Sequence, residues 1–249
     1  MKPSPSMRNP PAPGWRGLLL FSVFYGAFVG LPWLAPVFMH WGWVTPARWI
    51  YTAYSFVCHQ LPQRSYFLFG PRLMYDLAEV QAAFRATTNP LVLRQFIGTA
   101  SMGWKVAWSD RMVSLYTSVL LGVWFWWPWL RKRRGRPWPL WVLVLCTLPL
   151  ALDGTTHLLS DALYGIGRGF RYTNPWLVAL TRGAFPATFY VGNGLGSFNW
   201  WMRLLTGALF GFGAAGWVLS LWFGQPSPAP RGALSPSPTP AAHAGRRPA

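Results

Sequence analysis

The chain has 249 residues, of which 52% are apolar and only 11% are charged. A soluble domain carries about 25% charged residues, so this composition argues against a soluble protein and predicts a bundle of membrane helices. The formal net charge of +17 would suit nucleic-acid binding. However, the dense basic cluster at 131–136 lies between two apolar runs, where the positive-inside rule would put it, and we expect no nucleic-acid partner.

The first predicted span is the apolar run 17–39, which is long enough to cross a bilayer. Basic residues precede it, so a signal peptide is the alternative. The length of the run and the lack of a small-residue cleavage site favour a span. Gly26 and Gly30 form a GxxxG pair that predicts close helix packing. The Pro-rich residues 1–14 are predicted to be a disordered tail.

Residues 46–57 are helical in composition but too short and too polar to span, which predicts an interfacial or re-entrant helix leading into Cys58. If this segment spanned, the 131–136 cluster would lie outside, so we favour four spans over five. Residues 66–108 are predicted to form an amphipathic connection, with a helix near 75–86.

The second half of the chain carries the remaining spans. Ser109 and Asp110 precede the first of them and suit its N-terminal cap. Residues 160–199 form a long insertion rich in Gly and aromatic residues, and Gly207–Gly211 is a second GxxxG pair. The Pro-rich 224–249 is predicted to be a second disordered tail. The three further predicted spans are 112–130, 138–152 and 202–223.

The predicted fold is therefore an all-α integral membrane protein. Its membrane domain covers 15–223 and contains about four transmembrane helices, an interfacial helix and long outer loops. With the 131–136 cluster in the cytoplasm, parity puts both termini inside. The connections 40–111 and 153–199 then face outward. We expect a multi-pass protein of the cell membrane.

Candidate functional residues concentrate in the stretch Cys58–Ser65, which packs a thiol, an imidazole, two amides and a guanidinium into eight residues. A second polar sequence, Asp153–His157, is expected on the same side. Asp153 is the strongest single signal, because a carboxylate at that depth in a span is costly and marks a functional site by default. The alternative is a structural ion pair with Arg203 or Arg111. We expect Asp161, by contrast, to be exposed.

Several chemistries are open to these residues. Asp153, His59 and Cys58 are the catalytic candidates, the thiol as a nucleophile that a neighbouring cation activates. The alternative for Cys58 is a small buried hydrophobe. His59, Asp153 and His157 would make a two-His, one-carboxylate site for a divalent metal. The candidates for binding an anionic headgroup or phosphate are Arg64, Arg111 and Arg203.

We expect five of these residues to converge in one site at the outer face, with the carboxylate at its centre. Three segments that are distant in sequence end on that side in the four-span topology: the Cys58–Ser65 stretch, the start of the second span and the end of the third. The fourth span begins there as well. The five residues are His59, Arg111, Asp153, His157 and Arg203.

Three polar motifs follow one another along the chain. They are Cys58-His59-Gln60 with Pro62, Arg64, Ser65 and Gly70; Asp153-Gly154-Thr155-Thr156; and Arg203–Gly207 with Phe210 and Gly211. Together they resemble the bacterial and archaeal family called domain of unknown function 2085, described as uncharacterised predicted membrane proteins. The resemblance covers roughly 58–211 and implies a membrane protein without naming an activity.

The chain departs from this family at two places. Typical members have Cys-Ala-Arg-Cys where Ser109–Met112 stands here, and many have Gln where His157 stands. The thiolate site or redox dithiol that the resemblance implies for a typical member is therefore not expected in this chain.

Two classes of function fit these observations. The first is a membrane-embedded enzyme or lipid-headgroup binder with its polar site at the outer face and membrane lipids as partners. The alternative is a non-catalytic scaffold or accessory subunit of a larger membrane complex, with a membrane protein as partner. A transporter is disfavoured because no inverted repeat is visible. The sequence names no substrate.

Overall fold

The computed structural model describes residues 14–133 and 135–224. The predicted tails 1–14 and 224–249 lie outside these residues, apart from Gly14 and Gly224 at their inner edges. The chain is mostly helical. Its elements are α1 (Trp15–His40), α2 (Val44–Tyr54), β1 (Ser65–Leu68), α3 (Leu77–Ala83), α4 (Pro90–Leu93), β2 (Gly98–Thr99), β3 (Gly103–Ser109), α5 (Asp110–Arg133), α6 (Leu140–Tyr164), α7 (Phe170–Thr173), α8 (Pro175–Thr181), α9 (Ala187–Tyr190) and α10 (Phe198–Phe223).

Three helices are long and apolar enough to cross a membrane: α1, α6 and α10. Helix α5 has similar length and matches the remaining predicted span, but it is not among the three. It carries four tryptophans and Pro128, and it ends in the basic residues Arg131, Lys132 and Arg133. Tryptophan prefers the membrane interface to the hydrocarbon core, and basic residues prefer water. Together they make α5 less apolar than the other three helices.

Helix α6 is longer than the sequence predicted. The expected end was Leu152, but the helix continues to Tyr164, and Gly154 does not break it. The hydroxyls of Thr155 and Thr156 donate to carbonyls in the preceding turn, which keeps them within the helix. The predicted insertion therefore loses its first residues to α6, and Asp153 lies inside the helix rather than at its end.

Helices α5 and α10 form the closest helix pair, and glycines make that approach possible. A side chain at Gly211 would collide with the carbonyl oxygen of Leu115, and a Cβ at Gly207 would lie 3.0 Å from the carbonyl oxygen of Arg111. The second predicted GxxxG pair is thus a packing face. Around the first pair, Gly26 and Gly30, a Cβ would meet nothing within 4 Å among the described residues.

The all-α prediction is wrong in one respect, because the chain contains a small antiparallel sheet in the order β1-β3-β2. Ser65 pairs with Ser109, and Gly98 pairs with Trp104. Aromatic and β-branched residues supply the strands. Gly103, at φ +80, lies so close to Leu68 and Gly70 that a side chain would collide with their backbone.

The sheet packs against α1 and α2 through aromatic rings. The fully buried Trp108 of β3 lies between Tyr54 and Phe28, with ring centroids 4.8 Å and 5.4 Å away. The hydroxyl of Tyr54 donates to the carbonyl of Phe28 at 2.7 Å. Helix α2 overlaps the predicted segment 46–57, beginning two residues earlier and ending three residues earlier, and it is fixed to α1. Helix α3, with a capping box at its start, lies within the predicted 75–86.

The segment between α6 and α10 holds the short helices α7, α8 and α9, and Asn199 ties them to α10. Its buried amide donates to the carbonyls of Arg171 at 2.6 Å and Gly192 at 2.8 Å. Asn174 donates to the carbonyl of Tyr190 at 2.7 Å. Because these buried bonds satisfy backbone groups in a segment with little regular structure, the segment holds a fixed position beside α10.

The opposite end of the bundle, which we call the apolar end, is held by rings and small residues. It consists of Leu18, Val123, Trp127, Leu130, Ala215, Leu219 and Phe223. Trp127 meets Phe223 edge-on at 5.1 Å between ring centroids, and Gly122 allows Ala215 to approach. Cys146 lies against Gly213 on the α6 side, and both cysteines are free thiols.

Candidate functional site

A cavity of about 540 Å³ opens at the end of the bundle where α5 and α10 begin and α6 ends. We call it the polar cavity. A single stripe of α6 contributes five of its residues, and the others come from the Cys58–Arg64 turn, the end of β3, the starts of α4, α5 and α10, and the residues next to α4 and α6 in the chain. The lining residues are His59, Leu61, Arg64, Thr88, Pro90, Ser109, Asp110, Arg111, Met112, Gly154, His157, Leu158, Asp161, Ala162, Gly165, Ile166 and Arg203.

Asp153 lies just behind this wall and binds two arginines. Arg111 donates to its Oδ2 at 2.6 Å, and Arg171 donates to its Oδ1. The Nε2 of His157 is 4.0 Å from the same carboxylate, one helical turn along α6. The predicted pairing with Arg111 is confirmed, and so is the common face of Asp153 and His157.

Arg203 pairs with Asp110, and the predicted pair with Asp153 does not form. Its Nε lies 2.9 Å and 2.8 Å from the two carboxylate oxygens of Asp110, and its terminal nitrogens donate to Asn193. Both side chains are almost completely buried. Asp110 also accepts from the backbone N–H of Arg111, as expected of an acid at a helix start. This pair locks the start of α10 to the start of α5.

Arg64 binds Asp161, which the sequence predicted to be exposed. The guanidinium donates to Asp161 at 2.8 Å, and the carboxylate side chain keeps only 20% of its surface accessible. The prediction failed because α6 continues beyond Leu152 and brings the last polar residue of its inward stripe against the turn that carries Arg64. This pair closes one side of the cavity.

His59 reaches the cavity from the turn after Cys58. Its Nδ1 accepts from the backbone N–H of Leu61 at 3.2 Å, so the proton of the neutral ring is on Nε2. The ring is accessible from the cavity, but the protein around it and the charges of Arg64 and Arg111 lower the pKa of His59 well below its usual range. His59 is therefore a neutral hydrogen-bond donor at the cavity wall.

Cys58 lies one layer behind the cavity and does not line it. Its Sγ accepts from the backbone N–H groups of Gln60 at 3.4 Å and Ser109 at 3.3 Å. It is buried in the cluster that includes Tyr54 and Trp108. These contacts match the alternative interpretation of a small buried hydrophobe, because a nucleophile needs an open approach.

Lys105 supports the turn from behind. This lysine is completely buried, and its Nζ donates to the carbonyls of Gln60 at 2.9 Å and Arg94 at 2.6 Å. Burial, with a smaller contribution from the charge of Arg94, lowers the pKa of Lys105 to about 7. The lysine thereby joins the Cys58–Gln60 turn to the end of α4, two segments that form the same side of the cavity.

Some buried polar atoms of this region have no hydrogen-bond partner in the described part of the chain. They include Nε2 of His157, Nε of Arg64 and Nε of Arg171. A native protein leaves few such atoms, and each one calls for an explanation. His157 and Arg64 line the cavity.

The predicted metal site does not form. Within residues 14–133 and 135–224, no three His, Cys, Asp or Glu residues are grouped so as to hold a metal ion. His59, Asp153 and His157 were the predicted ligands. Both oxygens of Asp153 face arginines instead, and a cation beside two guanidinium groups would be repelled. The arrangement suits an anion.

Four partners of this site escaped the sequence prediction. Arg171 lies in the Gly-rich insertion and carries no periodic signal, and Asn193 lies in a loop before α10. Asp110 was interpreted only as a helix cap, and Asp161 as a surface residue. One signal was available: Asp110, Asp153 and Asp161 are three of only five acidic residues in a chain with 22 basic ones, so each had many potential partners.

Comparison with known proteins finds a relative in Methanocaldococcus jannaschii, described as uncharacterized protein MJ1492. It is 29% identical over 149 residues, which cover 57% of this chain and 71% of the relative. No protein-family model matches the chain, and no solved structure matches it. Because the relative is uncharacterized, it indicates no activity for this site.

Proposed function

We propose that this chain is a four-span protein of the cell membrane, with both termini in the cytoplasm, whose polar cavity at the outer face binds the anionic headgroup of an amphipathic ligand such as a membrane lipid. Kinship with the family called domain of unknown function 2085 is part of the proposal. The observation that carries it is the cavity itself, because arginines and apolar side chains line the same space.

The depth of the cavity supports a site at the membrane boundary. If α6 enters the hydrocarbon core near Leu140, Asp153 lies about 20 Å along the helix and Asp161 about 32 Å, at 1.5 Å per residue. The core is about 30 Å thick. The two acids then bracket the outer boundary of the core, where a headgroup lies. Helix α5 packs along α10 through Gly207 and Gly211, which supports counting it as the fourth span.

The cavity lining supports an amphipathic ligand. Arg64, Arg111 and His59 are among the polar residues that line the cavity, and Leu158 and Ile166 are among the apolar ones. Leu158 keeps 70% of its surface exposed on the flank of α6. An apolar chain could therefore leave the cavity toward lipid while its headgroup stays among the arginines.

Topology is tested by single cysteines at exposed sites on opposite sides. In the proposed arrangement an impermeant thiol reagent added to intact cells labels Ala82→Cys and spares Gly135→Cys. The unchanged chain gives the background, since Cys58 is buried and Cys146 is half-buried. Labelling of Gly135→Cys from outside would refute the orientation and move the cavity to the cytoplasmic face.

Ligand binding is tested by mass spectrometry of the intact protein released from native membranes. We expect an anionic lipid to stay bound to the unchanged chain and to be lost from Arg64→Gln and Arg111→Gln. Arg72→Gln is the matched control, because Arg72 lies in an exposed pair with Glu79 outside the cavity. Equal lipid retention in all four proteins would contradict the proposal.

A further inference from the structure

The charges around the polar cavity do not cancel. Three ion-paired groups surround it: Arg64 with Asp161, Arg203 with Asp110, and Asp153 with both Arg111 and Arg171. Four guanidinium groups thus face three carboxylates, which leaves one positive charge over. His59 and His157 add none while they are neutral. Lys105 does not change this count, because its ammonium group lies behind the turn on two backbone carbonyls.

The arginines differ in how many of their N–H groups already have partners. Arg203 is the most heavily engaged of the cavity arginines, since Asp110 and Asn193 contact its Nε and both terminal nitrogens. Arg64 uses one terminal nitrogen for Asp161 and leaves Nε without a partner. Arg111 uses one for Asp153, and its other terminal nitrogen lies near Gly154, where a Cβ would come within 3.0 Å.

Resting on the proposed function, we infer that the polar cavity selects headgroups with a single negative charge, a phosphodiester or a carboxylate, over doubly charged phosphomonoesters. One such charge neutralises the surplus. A second charge would stand uncompensated beside the buried side chains of Arg64, His157 and Arg203, where an unpaired charge costs more than in water. A zwitterionic headgroup would bring its own cation against the arginines.

Four amphiphiles with the same dodecyl chain test this selectivity: dodecanoate, methyl dodecyl phosphate, dodecyl phosphate and dodecyl phosphocholine. Binding is measured calorimetrically on the full chain in a neutral maltoside detergent at about pH 7.5, where a phosphomonoester with its second pKa near 6 carries two charges. We expect both monoanions to bind about tenfold more tightly than the dianion, a difference of about 1.4 kcal/mol. Comparing the two monoanions distinguishes a carboxylate from a phosphodiester source.

Substitutions at Ala162 change the net charge around the cavity without breaking an ion pair. Ala162 lines the cavity and is exposed on α6, so a longer side chain there is tolerated. Ala162→Lys raises the surplus to two charges and should reverse the preference toward the dianion. Ala162→Asp removes the surplus and should abolish the preference for anions over dodecyl phosphocholine. Ala162→Asn controls for size and polarity, because it adds a side chain as long as that of Asp without changing the charge.

The outcomes separate this inference from the function on which it rests. If none of the three anions binds the unchanged chain better than dodecyl phosphocholine, the proposed function itself fails. If anions bind but the dianion binds as tightly as the monoanions, only the single-charge selectivity is overturned. The same conclusion follows if Ala162→Lys and Ala162→Asn give identical preferences, because charge would then not decide which headgroup enters.

Discussion

The two ends of the helix bundle are built from different interactions. At the polar cavity, α5, α6 and α10 meet through ion pairs whose members, such as Asp110 and Arg203, are almost completely buried. At the apolar end, α5 and α10 meet through rings such as Trp127 and Phe223. The apolar end encloses a cavity of about 310 Å³ lined almost entirely by apolar residues, whereas the charged groups at the other end need specific partners and surround a larger cavity of about 540 Å³. The difference suggests that the apolar end determines whether the helices associate and the polar end determines what they bind.

The sharpest way to break the polar end is Asp153→Asn. The change leaves Arg111 and Arg171 buried without their shared charge, and removal of one partner from a buried pair costs about 3–5 kcal/mol. We expect a large loss of folded protein, measured as the yield of monodisperse protein and its melting temperature in detergent. Glu79→Gln is the control: its pair with Arg72 is exposed, and a Gln preserves the capping box of α3.

A near-normal yield and melting temperature for Asp153→Asn would contradict this account. Such a result would mean that Arg111 and Arg171 find water or other partners, and that the polar end does not depend on its ion pairs.

The α5–α10 pair that runs between the two ends is tested by Gly211→Ala. The added methyl group would collide with the backbone of Leu115, so the helices must separate, at a cost of about 1–3 kcal/mol. Gly30→Ala on α1 is the control, because nothing in the described residues lies within 4 Å of the new atom. Circular dichroism melts in detergent should show a lower melting temperature only for Gly211→Ala. Equal melts would refute the close packing.

Lys105 provides a test through pH. Its pKa is about 7 in the fold and 10.5 in the unfolded chain, so between these values the unfolded chain binds the additional proton. Stability should therefore rise with pH, by up to about 1.4 kcal/mol per pH unit inside that window. We expect this rise to be smaller by that amount in Lys105→Met, as measured by denaturant unfolding at about pH 8 and 9. Identical slopes would show that the ammonium group is not buried.

The smallest effect is expected for Cys58→Ala. The thiol accepts two weak hydrogen bonds behind the cavity wall, so its loss should cost about 1 kcal/mol or less and leave amphiphile binding unchanged. Binding is measured as for the unchanged chain. If Cys58→Ala abolished binding while its melting temperature stayed near normal, the thiol would be part of the site after all.

The sequence predicted the main helices and most of the cavity, because both are marked by a difference in polarity between neighbouring residues. Long apolar runs mark α1, α6 and α10, and a lone carboxylate such as Asp153 stands out within them. The sheet was missed because β1 is short and pairs with β3 across more than thirty residues, which include α3, α4 and β2. Hydrophobic periodicity reports which side of a helix is buried and carries no information about such a distant partner.

The same limit applies to the ion pairs. The sequence identified Arg203 as a partner for a buried acid and chose Asp153, whereas the side chain binds Asp110. The choice depends on which helix lies nearest, and the close α5–α10 approach through Gly207 and Gly211 makes that helix α5. Arg171 then takes the place left open at Asp153.

The pair between Asp110 and Arg203 also has a consequence for the order in which the protein is made. Asp110 emerges from the ribosome at the start of α5, more than ninety residues before the arginine that neutralises it. Until α10 is synthesised, the nascent chain holds an acid without its final partner at the start of α5. Helix α10 thus completes the assembly, and chains stopped before it should remain with the insertion machinery or be degraded.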